Sequence, residues 1–467
     1  MTNNDKEYGM ENLLYKDEVL DVLSETRNVA QFVSFAPNLK QRFSRVLGFK
    51  ANHIFKSVQS AVSQLMMCSP ENSVNVRSFL PNNPKSHDFI YGLKDIDTAV
   101  DTILRLSRKG LFTILNETID VNDGGVSGVI ENDMIEFAPG VVPRFVEASS
   151  EPIATMRLDI GLGMLETVYG FKITIGDVSN KRLEFSIHPD CRGYHSQRLI
   201  VWEEQCSEYT KSEPYYIWPN AFSKLIGDKA YGLLLARMYC FNVPTTTVYC
   251  RDKRIKPFTF GEASFDTFLD GSSKVWTRTC PKTQEPGKYT TVNYFTDPYQ
   301  LMLSDDPSGE VLASCLVQEA VDAKYSGTLI SSSKGYIIDG VLGTGDDYMQ
   351  GSKPPEDLPE RIVENVTTMY QLLKNVFGYV RFEWVHDGIT PWLVQLHQGE
   401  TPSYSGVIYP GEFEYSSTFF VEQGLHVLRE LISYLPKNHG IVVKGNMGMG
   451  SHIADVLRKA QVPSIRG

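Results

Sequence analysis

Two strand-like segments flanking an Asp387-Gly388 turn signal carry an acid and an amide that can act together, Phe382-Glu383-Trp384 and Leu393-Val394-Gln395. A carboxylate and an amide oxygen projecting the same way from adjacent strands suit Mg²⁺, which prefers oxygen ligands and keeps several waters while bridging nucleotide phosphates. A solvated or salt-bridged glutamate fits the same pattern. Lys229 follows Gly227-Asp228 at the start of a helical stretch. There, backbone N–H groups and the helix dipole favour anions and an ammonium adds a point charge for phosphate; an exposed first-turn lysine is the plainer alternative. Arg278 stands on an otherwise apolar strand, so its guanidinium needs a carboxylate or phosphate partner, supplied by a structural ion pair or by a ligand. His452 follows the glycine-rich Asn446–Ser451 loop at a helix start, where backbone donors can stabilise a phosphoryl group while the imidazole attacks. Equally, Ser451 reads as an N-cap and His452 as a first-turn residue.

Helices alternating with antiparallel strand pairs must position these groups, which predicts an α+β fold. Early strands are expected at Phe32–Phe35 and Val74–Phe79, with helices ending near Met67 and spanning Ile96–Lys109. Leu111–Ile119 and Ser127–Phe137 read as strands joined by Asn122-Asp123-Gly124-Gly125, followed by a helix at Ala154–Tyr169 and strands at Arg182–Ile187 and Gln197–Trp202. The pattern restarts near Trp218, with a helix within Phe222–Cys240, strands at Thr245–Cys250, Leu312–Val321 and Gly327–Leu342, and a helix ending at Val376. Strands at Tyr379–Trp384 and Trp392–Leu396 close it, and a tail adds helix Val421–Leu435, strand Gly440–Lys444 and helix Ile453–Ala460.

The restart is a repeat. Asn116–Ile130 (NETIDVNDGGVSGVI) matches Gln318–Ile330 (QEAVDAKYSGTLI) some two hundred residues later. Arg77 answers Arg278, Glu184 answers Glu383, and Phe43–Ala51 matches Phe222–Ala230, setting Lys50 opposite Lys229. Landmarks in one order indicate a tandem duplication of fold, not of activity. The expected divisions are a lead over 1–40, a first unit over 41–215, a second over 216–415 and a tail over 416–467.

A composition of 42% hydrophobic and 22% charged residues is that of a globular protein, and a net charge of −11 excludes a surface built overall for polyanions. Seven cysteines without CxxC spacing argue against a disulfide framework or zinc site, and no run of apolar residues is long enough to cross a membrane. A cytoplasmic protein is expected, with neither nucleic acid nor membrane as partner and with a homo-oligomer or protein partner left open.

The order Lys229, Thr277-Arg278-Thr279, Gln318-Glu319-Ala320-Val321, Ser326-Gly327, Glu383 and Gln395 resembles the ATP-grasp nucleotide-binding domain of the phosphoenolpyruvate synthase and pyruvate phosphate dikinase family. The resemblance implies two ATP-grasp-like units, the first degenerate or a second ATP site, since Trp202 falls near the place of Gln395. It implies phosphate binding by Lys229 and Arg278, an adenine lined by Gln318, Glu319 and Val321, and Mg²⁺ held with ATP by Glu383 and Gln395. Gly450-Ser451-His452-Ile453-Ala454 with Val462-Pro463 is similar to part of that family's swivelling phosphohistidine domain. The implied activity is ATP-dependent phosphotransfer to an unknown small-molecule acceptor, with His452, Arg278 and His397 as catalytic residues. His397 stands where the family has a phosphate-binding arginine, and the tail is shorter than the usual swivelling domain. An ATP-grasp ligase that forms an acyl phosphate, and a nucleotide-sensing or scaffold protein, are the alternatives.

Overall fold

The structure, a computed structural model, describes residues 15–81, 87–143, 146–147, 149–207, 216–262 and 274–467. The chain divides into two compact units, one formed by residues 1–149 and 174–213, the other by 150–173 and 214–467.

The first unit runs α1 (Lys16–Thr26), β1 (Phe32–Phe35), β2 (Gln41–Arg45), α2 (Val58–Cys68), β3 (Val74–Phe79), β4 (Phe89–Leu93), α3 (Ile96–Arg108), β5 (Phe112–Glu117), β6 (Val126–Glu131) and β7 (Met134–Pro139). After β8 (Ala154–Arg157) and α4 (Leu158–Tyr169), which belong to the second unit, it resumes with β9 (Lys181–Arg192) and β10 (Gln197–Cys206). Helix α3 shows how the sequence makes an element. Asp95 caps it by accepting from Thr98 N at 2.8 Å, Arg105 and Arg108 lie in its last turn, and Ala99, Ile103 and Leu106 form a buried stripe. That stripe and Ala61, Val62 and Leu65 of α2 share a core with Val33, Phe35, Val74, Val76 and Leu115 of the sheet. Each large aliphatic so buried contributes roughly 1.5–3 kcal/mol, so Leu65→Ala would open a void in the middle of this core. The opposite face of the sheet is left for other use.

The second unit continues with α5 (Ala221–Ile226), α6 (Asp228–Met238), β11 (Thr246–Cys250), β12 (Phe258–Phe260), β13 (Val275–Pro281), β14 (Thr291–Val292), α7 (Pro298–Asp305), β15 (Leu312–Glu319), β16 (Tyr325–Ser332) and β17 (Gly335–Leu342). Next come α8 (Asp346–Gln350), α9 (Glu360–Phe377), β18 (Val380–His386) and β19 (Pro391–Gln398). The repeat is visible in the topology. Sheet order β2-β1-β5-β3-β4 in the first unit recurs as β12-β11-β15-β13-β14 in the second, and β10-β9-β6-β7 recurs as β19-β18-β16-β17. Register agrees too, since Glu184 faces Val129 as Glu383 faces Thr328.

Four expectations need correction. The strands of QEAVDAKYSGTLI do not pair: β15 and β16 lie in different sheets, as do β5 and β6. The longer strands expected over Ser127–Phe137 and Gly327–Leu342 are instead folded by tight turns at Asn132, whose φ is 53°, and at Ser333-Lys334, into β6–β7 and β16–β17. Lys50 is not the counterpart of Lys229, because Phe43 lies on strand β2 whereas Phe222 lies in the first turn of helix α5. The helix that precedes β1, as α6 precedes β11, is α1, which begins at Lys16. Finally, residues 15–40 are no separate lead, since α1 and β1 are integral to the first unit, and the boundary at 215 misses the assignment of 150–173 to the second.

The tail comprises β20 (Val407–Tyr409), β21 (Tyr415–Phe420), α10 (Gly424–Ser433), β22 (His439–Lys444), α11 (His452–Lys459) and β23 (Ser464–Arg466). Its sheet, ordered β20-β23-β22-β21, pairs β21, β22 and β23 in parallel through the two helices, an α/β layer that starts earlier than residue 416. It is not detached. Phe419, Leu428, Ile441, Ile453 and Leu457 share one core with Ile330 of β16.

Candidate active site in the second unit

Lys229, Arg278, Glu383, Gln395 and His452 line one cavity of about 380 Å³ together with Trp276, Asp346 and Met349. A second cavity shares Arg278, Asp346 and Glu383 with it and is bounded by Gln318, Glu319 and Val321, so the two form one cleft. Strand register explains the grouping. Gln318 is flanked by Thr246 on one side and Trp276 on the other, so these three and Arg278 share the face that meets the cleft. From the other sheet, Glu383 lies between Thr328 and Gln395 on neighbouring strands.

Arg278 is the hub. Its Nη2 donates to Glu383 Oε2 at 3.2 Å and to Gln395 Oε1 at 3.1 Å, while Nη1 donates to Val394 O at 3.1 Å and Gln318 Oε1 at 3.4 Å. Glu383 and Gln395 therefore converge on one positive charge, the arrangement expected of two oxygens that share a cation. Burial raises the Glu383 carboxyl, but the positive field of its neighbours, that of Arg278 above all, outweighs it and holds the group below the usual carboxylate range. Burial, then the charge of Arg278, lowers the Lys229 ammonium, whose Nζ donates to Thr279 O at 3.4 Å. Gly227 makes this helix entry workable: its φ is 96°, and a Cβ there would lie 2.4 Å from Cys280 Sγ.

His397 does not reach the cleft. It stands one layer out, its Nδ1 3.1 Å from Asp228 Oδ2 and its Nε2 accepting from Gln395 Nε2 at 2.7 Å. The expected catalytic role is thus replaced by a positioning one: the imidazole orients the Gln395 amide so that its oxygen faces Arg278. Sequence reasoning missed Asp228 in this role, and also missed Trp276 and Asp346. Trp276 directly precedes Thr277-Arg278-Thr279, and that adjacency was the available signal, whereas Asp346 at the start of α8 adjoins none of the motifs read above. Burial raises the Asp346 carboxyl.

His452 opens α11 at the end of the cleft, where it also borders a further cavity of about 860 Å³ lined by Tyr289, Gln350 and Glu422. Its Nδ1 is buried without a hydrogen-bond partner among the described residues, and burial holds the imidazole below its usual range despite Asp455 and Glu383. Ser451 sits at the N-cap in extended conformation, yet its side chain makes no cap hydrogen bond. Helix α11 is fixed to the site by Asp455, whose Oδ1 accepts from both Arg381 of β18 and Arg458. Met449 N donates to Asp339 Oδ2 at 2.5 Å, and Gly450 packs so closely that a Cβ would lie 1.8 Å from Thr328 Oγ1. A tail tied down in this way differs from the swivelling carrier that the motif implied.

No family model matches the chain, and no curated protein matches it. Among solved structures it is similar to a D-alanine–D-alanine ligase from Bacillus anthracis complexed with ATP, at 15% identity and TM-score 0.23 over 35% of this chain and 51% of that one. It is also similar to the D-cycloserine synthetase DcsG, at 12% identity and TM-score 0.24 over 42% and 63% of the two chains. An L-amino acid ligase from Bacillus licheniformis follows at 9% identity and TM-score 0.24, over 38% and 41%. The chain spans about half the length of the ligases it matches, 50% and 51% of the D-alanine–D-alanine ligases. The expected kinship with phosphoenolpyruvate synthase and pyruvate phosphate dikinase is overturned, because the structures found similar are ligases and a synthetase. Among the described residues no helix is long and apolar enough to cross a membrane.

Proposed function

We propose that the second unit is an ATP-grasp-type ligase site, which activates a carboxylate as an acyl phosphate and joins it to an amine. The observation that carries this reading is the convergence of Glu383 and Gln395 on one positive charge, in a cleft whose facing sheet supplies Arg278 and whose helix α6 supplies Lys229. The donor set fits Mg²⁺, which Glu383 and Gln395 would hold and which, when bound, would neutralise phosphate charge. Lys229 and Arg278 bind the phosphates, so that Arg278 leaves its two oxygen partners as ligand enters. Gln318, Glu319 and Val321 line the base.

A substrate carboxylate oxygen attacks the γ-phosphorus, the β–γ bridging P–O bond breaks, and ADP departs. The amine nitrogen then attacks the acyl carbon, expelling phosphate and giving up one proton. His452, held neutral at the end of the cleft, accepts that proton. Positioning and charge complementarity supply most of the acceleration in such phosphoryl transfer.

The test is incubation with Mg-ATP, a pool of amino acids and hydroxylamine as a general amine, with wild type compared against Glu383→Ala. The reading expects carboxylate-dependent ADP, phosphate and hydroxamate, all lost in the variant. AMP as product, or ATP binding without turnover across the pool, overturns it.

A further inference from the structure

The first unit contains a cavity of about 540 Å³, lined by its own residues, at the address that the candidate site occupies in the second. Register repeats residue by residue. Asn116 lies between Phe32 and Asn75 as Gln318 lies between Thr246 and Trp276, and Arg77 follows Asn75 by two residues as Arg278 follows Trp276. On the other sheet Glu184 faces Glu203 as Glu383 faces Gln395, and a bulge beside each pair leaves one extra residue, Trp202 in the first unit and Val394 in the second. Glu203, not Trp202, therefore stands in the place of Gln395. Lys16, Arg77, Glu184 and Glu203 all line the cavity.

The two units neutralise these pairs differently. Arg278 donates to both Glu383 and Gln395. In the first unit Arg182 Nη1 donates to Glu184 at 2.8 Å while its Nη2 donates to Glu147 at 2.7 Å, and Glu203 accepts from the neutral amide of Gln205. Carboxylates directly opposite each other on paired strands repel, and a divalent cation between them turns that repulsion into ligation. Lys16 and Arg77 offset the charge of the two acids, so a bound cation leaves the cleft positive, the balance that suits phosphate oxygens.

A second observation points to a ligand beyond the acid pair. Gln318 Oε1 accepts from Arg278 Nη1 at 3.4 Å, but the shorter Asn116 in the same place is 7% exposed and its Oδ1 has no hydrogen-bond partner among the described residues. A buried acceptor on the cavity wall thus waits for an N–H donor. Nearby, Trp202 Nε1 donates to Ser186 Oγ at 2.8 Å, Ser186 Oγ lies 2.8 Å from His188 Nε2, and His188 Nδ1 lies 2.8 Å from Asp123 Oδ2. This relay fixes the indole as a wall for a flat ring.

We infer that the first unit holds a nucleoside di- or triphosphate together with a divalent cation: Glu184 and Glu203 ligate the cation, Lys16 and Arg77 meet the phosphates, and a base bearing an exocyclic amine lies along Trp202 with that amine on Asn116. Two or more phosphates are needed because the cation must be shared between them and the acid pair. The inference stands on first-unit residues, so it survives if the ligase reading of the second unit fails.

The experiment is photolabelling of the full chain with increasing 8-azido-ATP, in Mg²⁺ and in EDTA, followed by peptide mapping, for wild type and Glu203→Leu. Expected is saturable label in first-unit peptides that requires Mg²⁺, with half-saturation at least about tenfold higher in the variant, which lacks one ligand of the cation. Glu203 is exposed, so its replacement leaves the fold intact and the comparison sound. Assignment by peptide separates the two units, whatever the second cleft does. Label confined to second-unit peptides overturns the inference. So does first-unit label equally strong in EDTA, or half-saturation unchanged in Glu203→Leu.

Discussion

The Arg278–Glu383 pair can be separated into its structural and ligand-binding parts by a double-mutant cycle with Glu383→Gln and Arg278→Met. At 3.2 Å and an effective dielectric near 20, the direct attraction is about 5 kcal/mol. Both side chains are largely withdrawn from water, at 12% and 16% exposure, so the cost of desolvation cancels part of that. Losing one partner strands the other, and the net loss for either single variant is about 3 kcal/mol. Glu383→Gln still leaves Arg278 its bonds to Val394 O, Gln318 and Gln395, which puts its loss at the lower end. The double variant should lose at least about 1 kcal/mol less than the sum of the singles. Differential scanning calorimetry can resolve the second unit's transition, and calorimetric titration of each variant with Mg-ATP adds the functional arm. Glu383→Gln should lose the dependence of ATP binding on Mg²⁺, while Arg278→Met should weaken binding and keep that dependence. Coupling below about 0.5 kcal/mol would refute the hub, and Mg²⁺ dependence surviving in Glu383→Gln would refute the metal assignment.

Other consequences can be checked singly. Burial pushes the Glu117 carboxyl up to about 7, against backbone and side-chain hydrogen bonds from Gln31. The folded state thus keeps a proton that the unfolded chain releases from pH near 4.5. Its stabilisation is complete below that value and is lost as pH rises through 7, by about 3 kcal/mol in all, and denaturation midpoints for Glu117→Gln should lack this slope. His452 has the opposite sense: with its imidazole held below the usual range, ligation should fall as pH drops beneath about 6.5, and His452→Ala should lose that acid limb in a pH–rate profile. Asp455→Asn should destabilise the second unit by about 3 kcal/mol, read as a lower melting temperature, because Arg381 and Arg458 would share no anion. Gly450→Ala, which pushes a methyl into Thr328, should act in the same direction in that melt.

Much of this site was legible in the chain because antiparallel strands with a two-residue period announce which side chains share a face. Glu383 and Gln395, read as neighbours from a turn signal, are cross-strand partners, and Arg278 on its apolar strand does meet a carboxylate. Other parts were not legible, and for physical reasons. Short motifs carry no record of whether they lie on a helix or a strand, so Phe43–Ala51 was matched to α5 and α6 while the real counterpart, Lys16, lay in a helix with no motif of its own. The turn at Asn132 was passed over although Glu131-Asn132-Asp133 interrupts the apolar alternation, because one left-handed residue is enough to reverse a strand and leaves only so short a mark in the sequence. His397 was placed in the site by sequence position; it shares the face of Gln395 two residues along β19, but there it meets Asp228 and acts on the cleft through the Gln395 amide.

Helix α4 lies in the chain within the first unit's span yet packs with α6 and β12 of the second, where Ile160, Met164, Leu165 and Val168 are buried. During synthesis it therefore leaves the ribosome well before its partner helix exists. With α6 beginning near residue 228, and elongation of roughly 5–20 residues per second, that apolar face waits several seconds uncovered. The first unit cannot be completed by the residues before it either, since β9 and β10 follow α4. Birth order thus makes the two halves of this protein interleaved folding problems, and the stretch most exposed to chaperone capture is the one that links them.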